Sequence, residues 1–505
     1  MSDGPTVAAV ETPPLEALID SFRTSRDTLE RSILPYATSV DGRTFEFQSS
    51  LHGLTLQTGG YVVLDDGRQS RFGQVLDLTA TTERASVANV PGLSSEVVIR
   101  LAYGHGIVLS ADTGPFHQAH VRPASGEEAT AWFAEQRPAR AALEIGTMLL
   151  APDVPATLDA GGFNRHTFMC GQSGSGKTYS LGLVLEQLLI HTDLRLVILD
   201  PNSDYVRLGD AKGDPTGQSE AAYGAAASGV QVWGRETEHP LRLMLPDLDH
   251  AAQAAVLGLD PLADREEYAA LSAIVSASRE GAPVIGGLDD LLEADRPGAR
   301  DLGLRANNLG VLDWSVWSRG QGRSVTDAVL DDDIRCLVVD LGSLDTPQEQ
   351  RVIAQATLSA LWRHRHRRQP VLVVIDEAHN VCPRQPADPV TRLAADTAAL
   401  IAAEGRKFGL YLLVSTQRPQ KVNEEVLTQC DNLLLMRMNS EADLAYLREV
   451  FSFVPGGMVR RATGFRQGES LAGGKFFPQP GFVRFGPRLS PEGGADIPTE
   501  WAGRS

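Results

Sequence analysis

The chain has 505 residues, 42% of them apolar and 22% charged, with a formal net charge of -18. That length exceeds one ordinary domain, and the composition is that of a globular protein, which excludes a disordered or fibrous chain. The negative balance excludes a protein that coats nucleic acid with its whole surface, while leaving room for a local basic channel.

The four cysteines, Cys170, Cys336, Cys382 and Cys430, lie far apart without C-x-x-C spacing and read as reduced core residues. The N-terminal MSDGPTVAAVE lacks a basic segment followed by an apolar one, and no uncharged apolar run is long enough to span a bilayer. The expected location is cytoplasmic, with no membrane partner.

Residues 1–40 begin as a loose tail. Leu15, Leu18, Ile19, Phe22, Leu29 and Ile33 then recur at helical spacing between Pro14 and Pro35, which predicts an amphipathic helix that packs on its own domain or docks on a partner. Over 41–125 the period shortens. Runs such as TFEFQ, GYVVL, FGQVLDL, VVIRLAY and GIVLS predict a small β-barrel, with Gly59, Gly60, Gly73, Gly104 and Gly106 as its turns and bends. Residues 126–165 read as a connector with one helix over 127–136.

GQSGSGKT, Gly171 to Thr178, fits G-x-x-x-x-G-K-[ST] at every fixed position. Thr167 to Cys170 predicts a strand before it and Tyr179 to Ile190 a helix after it, which is the setting of a phosphate-binding loop. The main chain through Gly171, Gln172, Ser173, Gly174, Ser175 and Gly176 would wrap the polyphosphate of ATP, with Tyr179 completing the candidate contacts. Lys177 would reach the β and γ phosphates, and the Thr178 hydroxyl would ligate Mg²⁺.

LRLVILD, ending in DPNSDY, predicts a strand covered on both faces, and GVQVW another. Residues 246–332 turn helical and irregular, an insertion whose acidic surface reads as solvation. The core resumes at 333 with IRCLVVDLGSL and a helix over 346–366 ending in RHRHRRQ. Those cations oppose the helix dipole or touch phosphates, the first reading being favoured. VLVVIDEAHN ends a strand in Asp376, which would hold the Mg²⁺ shell, and Glu377, which would orient and polarise the attacking water. A helix over 388–404, EGRKFG and the strand LYLLVST follow. Gln417 stands where a polar side chain could sense the γ-phosphate. After the strand NLLLMRM, residues 451–505 read as a segment wrapping a surface. The whole predicts an α/β fold: a RecA-like P-loop core of the ASCE type over 166–245 and 333–450, with the glutamate strand between the loop strand and the Gln strand.

RHTFMCGQSGSGKT, LDPNSDY, VVIDEAHN, EGRKFGLYLLVSTQRP and QCDNLLLMRMNSEAD together resemble the HerA branch of the HerA/FtsK superfamily. The resemblance implies a ring-forming, hexameric ATPase that moves double-stranded DNA through its centre, coupled to a nuclease or other effector in end processing or defence against foreign DNA. It also implies that Arg165 contacts nucleotide phosphates and that Arg406 is a finger inserted from the next subunit. The Asp-Glu pair departs from the Glu-Glu of several members, and the N-terminal helix has no counterpart in the family pattern. An assembly ATPase that energises a partner without moving DNA stays open; a nucleoside kinase would lack the barrel and the strands ending in Asp-Glu and Gln.

Overall fold

The computed structural model describes residues 35–51, 53–86, 96–111, 114–138, 141–212, 218–279, 297–318 and 322–494, with six further residues between 16 and 24. Apart from those six, the amphipathic helix expected before Pro35 lies outside the described residues, as does GLDDLLEA of the insertion. The chain divides into two compact units, Met1–Trp132 with Pro455–Met458, and Phe133–Val454 with Val459–Ser505.

The first unit holds a closed antiparallel barrel. Its strands are β1 (Tyr36–Ser39), β2 (Thr44–Ser50), β3 (Tyr61–Asp65), β4 (Ser70–Ser86), β5 (Glu96–Val108) and β6 (Phe116–Pro123), in the order β1-β2-β5-β4-β3-β6 with β6 returning to β1. Alternate residues point inward, so Phe45 and Phe47 meet Ala37, Leu64, Val75 and Val121 in the core. VVIRLAY and the first three residues of GIVLS lie in one strand, and Gly104 and Gly106 are not turns. A Cβ at Gly104 would sit 2.0 Å from the Phe47 ring and one at Gly106 2.2 Å from the Phe45 ring, so both glycines clear space for aromatic packing. Gly73 likewise lies within β4, whereas Gly59 has φ +84 and turns the chain.

The second unit is built on a twelve-stranded sheet, ordered β12-β11-β13-β10-β14-β15-β9-β16-β17-β18-β7-β8. These are β7 (Ala142–Met148), β8 (Ala151–Asp159), β9 (His166–Cys170), β10 (Arg195–Asp200), β11 (Val230–Gly234), β12 (His239–Pro240), β13 (Cys336–Asp340), β14 (Val371–Ile375), β15 (Leu410–Thr416), β16 (Cys430–Met436), β17 (Glu469–Gly474) and β18 (Gly481–Phe485). From β12 to β16 the strands are parallel; β17, β18, β7 and β8 extend the sheet in antiparallel fashion. Every residue of β9, β10, β13 and β14 is buried, which is why they read as unbroken apolar runs. The stretch 126–165, expected as a connector, supplies β7 and β8, and the C-terminal segment supplies β17 and β18. The insertion carries helices His250–Val256, Arg265–Arg279, Ala299–Asn308 and Val325–Val329.

One expectation about the core is corrected. The Gln strand β15 lies between the loop strand β9 and the glutamate strand β14, not the glutamate strand between the other two. β9 and β10 are consecutive parallel strands but not neighbours, and the gap between them takes two strands. β14 fills the slot against β10 (Arg195↔Val371), and β15 pairs with both β14 (Val371↔Leu410) and β9 (Leu413↔Thr167). Motif order along the chain carries no information about which slot a strand takes. The consequence is functional: the C-terminal ends of β9, β15 and β14 stand side by side. Among the described residues no helix is long and apolar enough to cross a membrane.

Candidate active site

β9 delivers the chain into the loop Gly171–Gly176, and the helix Lys177–His191 starts behind it with Gly176 as N-cap at φ +89. Gly174 is also left-handed, at φ +71, a conformation that glycine adopts without steric cost. No side chain caps this helix start, so its first N–H groups and partial positive charge face the loop as an anion site. The loop is braced from outside the motif. The Gln172 N–H donates to Arg437 O at 2.9 Å, the Asn439 N–H to Gln172 Oε1 at 3.0 Å, Arg437 Nη2 to Gly174 O at 3.1 Å, and the Gly468 N–H to Ser175 O at 2.9 Å.

Lys177 points from the first helical turn into the row of strand ends. Its Nζ is 2.7 Å from Asp376 Oδ1, 3.0 Å from Ser415 Oγ and 3.3 Å from Glu377 Oε1. Lys177, Asp376 and Glu377 are all buried. Burial works against the charged lysine, yet the adjacent Asp376 and Glu377 carboxylates outweigh it and raise its pKa. Burial likewise pushes the Glu377 carboxyl up. The hydrogen bond from His379, the Lys177 charge and the hydrogen bond from Gln417 more than reverse that, holding it at about 2. Gln417 Nε2 donates to Glu377 Oε1 at 2.9 Å.

Glu377 has φ +43 and opens a tight turn in which the Asn380 N–H donates to its carbonyl at 2.8 Å. A non-glycine residue there is strained and is held by its surroundings. The DPNSDY turn after β10 closes the other side. Asp200 accepts the N–H groups of Asp204 and Tyr205 at 3.0 and 2.8 Å, and the Tyr205 hydroxyl lies 3.4 Å from Asp376 Oδ2. Burial, with neighbouring carboxylates, raises Asp200 to about 7 and Asp204 to about 6.

The geometry brings together Lys177, Asp376, Glu377 and Gln417. Thr178 stands half-buried beside Lys177 in the first turn. The Tyr179 hydroxyl is engaged elsewhere, accepting the Arg488 N–H at 2.7 Å. Arg165 and Arg406 are not at this site. Arg165 precedes β9 and Arg406 lies in the turn Gly405–Phe408 before β15, at the opposite ends of these strands. β9 is five residues long, so about 17 Å of strand, at ~3.3 Å per residue, separates Arg165 from the loop. The two arginines instead share Asp431, with Arg406 Nη1 at 2.9 Å and Arg165 Nε at 3.8 Å from its Oδ2. Sequence reasoning missed Ser415, His379 and Arg437. Each is a neighbour of a motif residue, and only the strand order and the Glu377 turn aim them at the site.

A glycine loop on a helix start, a buried lysine and a paired carboxylate at the end of a parallel sheet define a P-loop ATPase. Residues 143–293 match the family model described as "Helicase HerA, central domain". The chain is 23% identical over 410 residues to the DNA double-strand break repair helicase HerA of Pyrococcus furiosus, covering 68% of this chain and 69% of that one. It is 28% identical over 155 residues to the protein of the same name from Sulfurisphaera tokodaii, covering 29% of this chain and 30% of that one. Among solved structures it is similar to VirB4 of Thermoanaerobacter pseudethanolicus, with a TM-score of 0.47 and 15% identity over 69% of this chain and 98% of that one. The chain is an ATPase similar to the HerA helicases, over its central part in the family model and over about two thirds of its length in the Pyrococcus furiosus relative.

Proposed function

We propose that this protein is a cytoplasmic, ring-forming motor that uses ATP hydrolysis to move double-stranded DNA for a partner nuclease or other effector, in end processing or in defence against foreign DNA. The observation that carries the reading is the convergence of Lys177, Asp376, Glu377 and Gln417 at the C-terminal ends of β9, β14 and β15. The relatives named as DNA double-strand break repair helicases supply the DNA.

In this reading Lys177 leaves its carboxylate partners for the β and γ phosphates, and Gln417 turns from Glu377 to the γ-phosphate. Glu377 orients a water. As the water oxygen bonds to the γ-phosphorus, the bond from that phosphorus to the β–γ bridging oxygen breaks, ADP leaves with the electron pair, and the water's proton passes to Glu377. Among the described residues no cluster of three or more His, Cys, Asp or Glu side chains could hold a metal by itself. A magnesium site takes one or two protein oxygens and completes its shell from phosphates and water. Thr178 and the fully buried Asp376 are the oxygens that would hold it. When bound, the ion would neutralise charge on the β and γ oxygens.

Arg406, with Arg165, would reach the nucleotide of the next protomer. Each subunit would then meet its neighbour head to tail, the interface type that closes into rings, here a hexamer. The test is ATP turnover with and without duplex DNA, on material whose mass is measured in parallel. Turnover stimulated by duplex on a single defined ring is the expected result. A monomer under all nucleotide conditions, or turnover indifferent to DNA that rises with a copurifying protein, overturns the motor reading in favour of an assembly ATPase.

A further inference from the structure

The two carboxylate oxygens of Glu377 meet different kinds of neighbour. Oε1 accepts from Gln417 Nε2 at 2.9 Å and lies 3.3 Å from Lys177 Nζ. Oε2 lies 3.2 Å from His379 Nδ1. That same nitrogen is 3.0 Å from Thr416 Oγ1, a fully buried hydroxyl that also accepts the Arg418 N–H at 3.0 Å. Among the described residues the buried Oε2 has no hydrogen-bond partner, while Nδ1 bonds Thr416 Oγ1, so an Nδ1–H tautomer has a charged acceptor waiting at 3.2 Å. The imidazole therefore stands between the glutamate and the end of the strand that carries Gln417. The turn itself is fastened to that strand, since the Ala378 N–H donates to Ser415 O at 2.9 Å.

The donors on Oε1 are the ones a triphosphate competes for. Lys177 already spends its ammonium on Asp376, Ser415 and Glu377, and it cannot hold phosphate oxygens while keeping all three. The imidazole beside Oε2 belongs to the protein's own turn and is not among those donors.

We propose that His379 is the positioning residue of this ATPase. It anchors Oε2 of Glu377 so that Oε1, released by Lys177 and Gln417, faces the attacking water. The proposal rests on Glu377 acting as the general base.

The test compares His379→Ala and His379→Asn with Glu377→Gln in the full chain, reading turnover at saturating ATP, affinity for a fluorescent ATP analogue, and the thermal midpoint. His379→Ala is expected to lower kcat about 10- to 100-fold while affinity stays within about twofold. His379→Asn, whose amide N–H can stand near the place of Nδ1–H, is expected to recover at least about fivefold of that loss. If the alanine variant does not fold, His379→Met, which fills the space without a donor, takes its place. The proposal is overturned if the donorless variant keeps wild-type kcat while Glu377→Gln is inactive. It is also overturned if the asparagine variant recovers nothing, or if kcat and affinity fall together. Wild-type turnover by Glu377→Gln would instead remove the general-base reading beneath it.

Discussion

His166, the first residue of β9, shows how a single buried side chain reports on the fold around the site. It has no exposed surface, and its Nδ1 accepts the Leu412 N–H from β15 at 2.9 Å, which requires the neutral ring. Burial, then the positive charge of Arg406, lowers its pKa from 6.5 to about 4; Asp431 pulls the other way and Arg165 adds to the lowering. Between those values the unfolded chain binds a proton that the folded chain refuses. The stability is therefore present above 6.5 and lost as pH falls toward 4. Chemical denaturation at pH 7 and pH 4.5 should show wild type losing about 2 kcal/mol more than His166→Asn, which keeps an acceptor and cannot titrate. Equal losses would mean that the ring is not held neutral. At this scale the side chains that converge at the strand ends were readable, because Asp376, Glu377 and Gln417 follow buried apolar runs and Lys177 closes the glycine loop. His379 was not, because it is the turn opened by Glu377 that brings its ring beside the carboxylate and Thr416, and no side-chain pattern encodes that turn.

At the scale of elements, composition gave the kinds of element and left their neighbours undetermined. The β-rich run 41–125 is a barrel, as alternation implies, but Gly104 and Gly106 were read as turns because glycine interrupts a strand pattern in either role. Only the cross-strand partners distinguish the two: Gly104 pairs opposite Phe47 and Gly106 opposite Phe45. Gly104→Ala should lower barrel stability by about 1–3 kcal/mol, since the new methyl meets a packed ring that must move. Adding Phe47→Leu, which shortens the obstructing ring, should recover part of the loss in thermal unfolding; two additive losses would show that the ring is not the obstacle. The turn RHRHRRQ has the same ambiguity on a smaller scale. Arg363 Nη2 donates to Asp247 O at 2.7 Å, Arg367 Nη1 to Leu330 O at 2.7 Å, and Arg365 lies over the Trp362 and Phe408 rings. The run closes a 17-residue helix, and these contacts support its structural role.

Across the second unit as a whole, the parallel sheet has ends of opposite character. Its C-terminal edge gathers Asp200, Asp204, Asp376 and Glu377 around a single lysine, whereas its N-terminal edge presents Arg165 and Arg406 about Asp431. Within one protomer the two arginines are a strand's length from the phosphates they would serve, so under the proposed function it is another copy that would bring a nucleotide to them. A planar guanidinium delivered to the γ-phosphoryl stabilises its transition state by orders of magnitude. Hydrolysis would then require a basic edge against the acidic edge of the next chain. Arg406→Ala and Glu377→Gln should each bind ATP and be inactive alone, for different reasons. In a mixed ring, an Arg406→Ala protomer with its own Glu377 can sit beside a Glu377→Gln protomer with its own Arg406. Random mixing in equal amounts creates that junction at about a quarter of interfaces, and ATP turnover should rise to about that share of the wild-type rate. A mixture as inactive as its parts, in rings shown by mass to contain both chains, would place Arg406 outside the hydrolysis step and leave its pairing with Asp431 as its whole role.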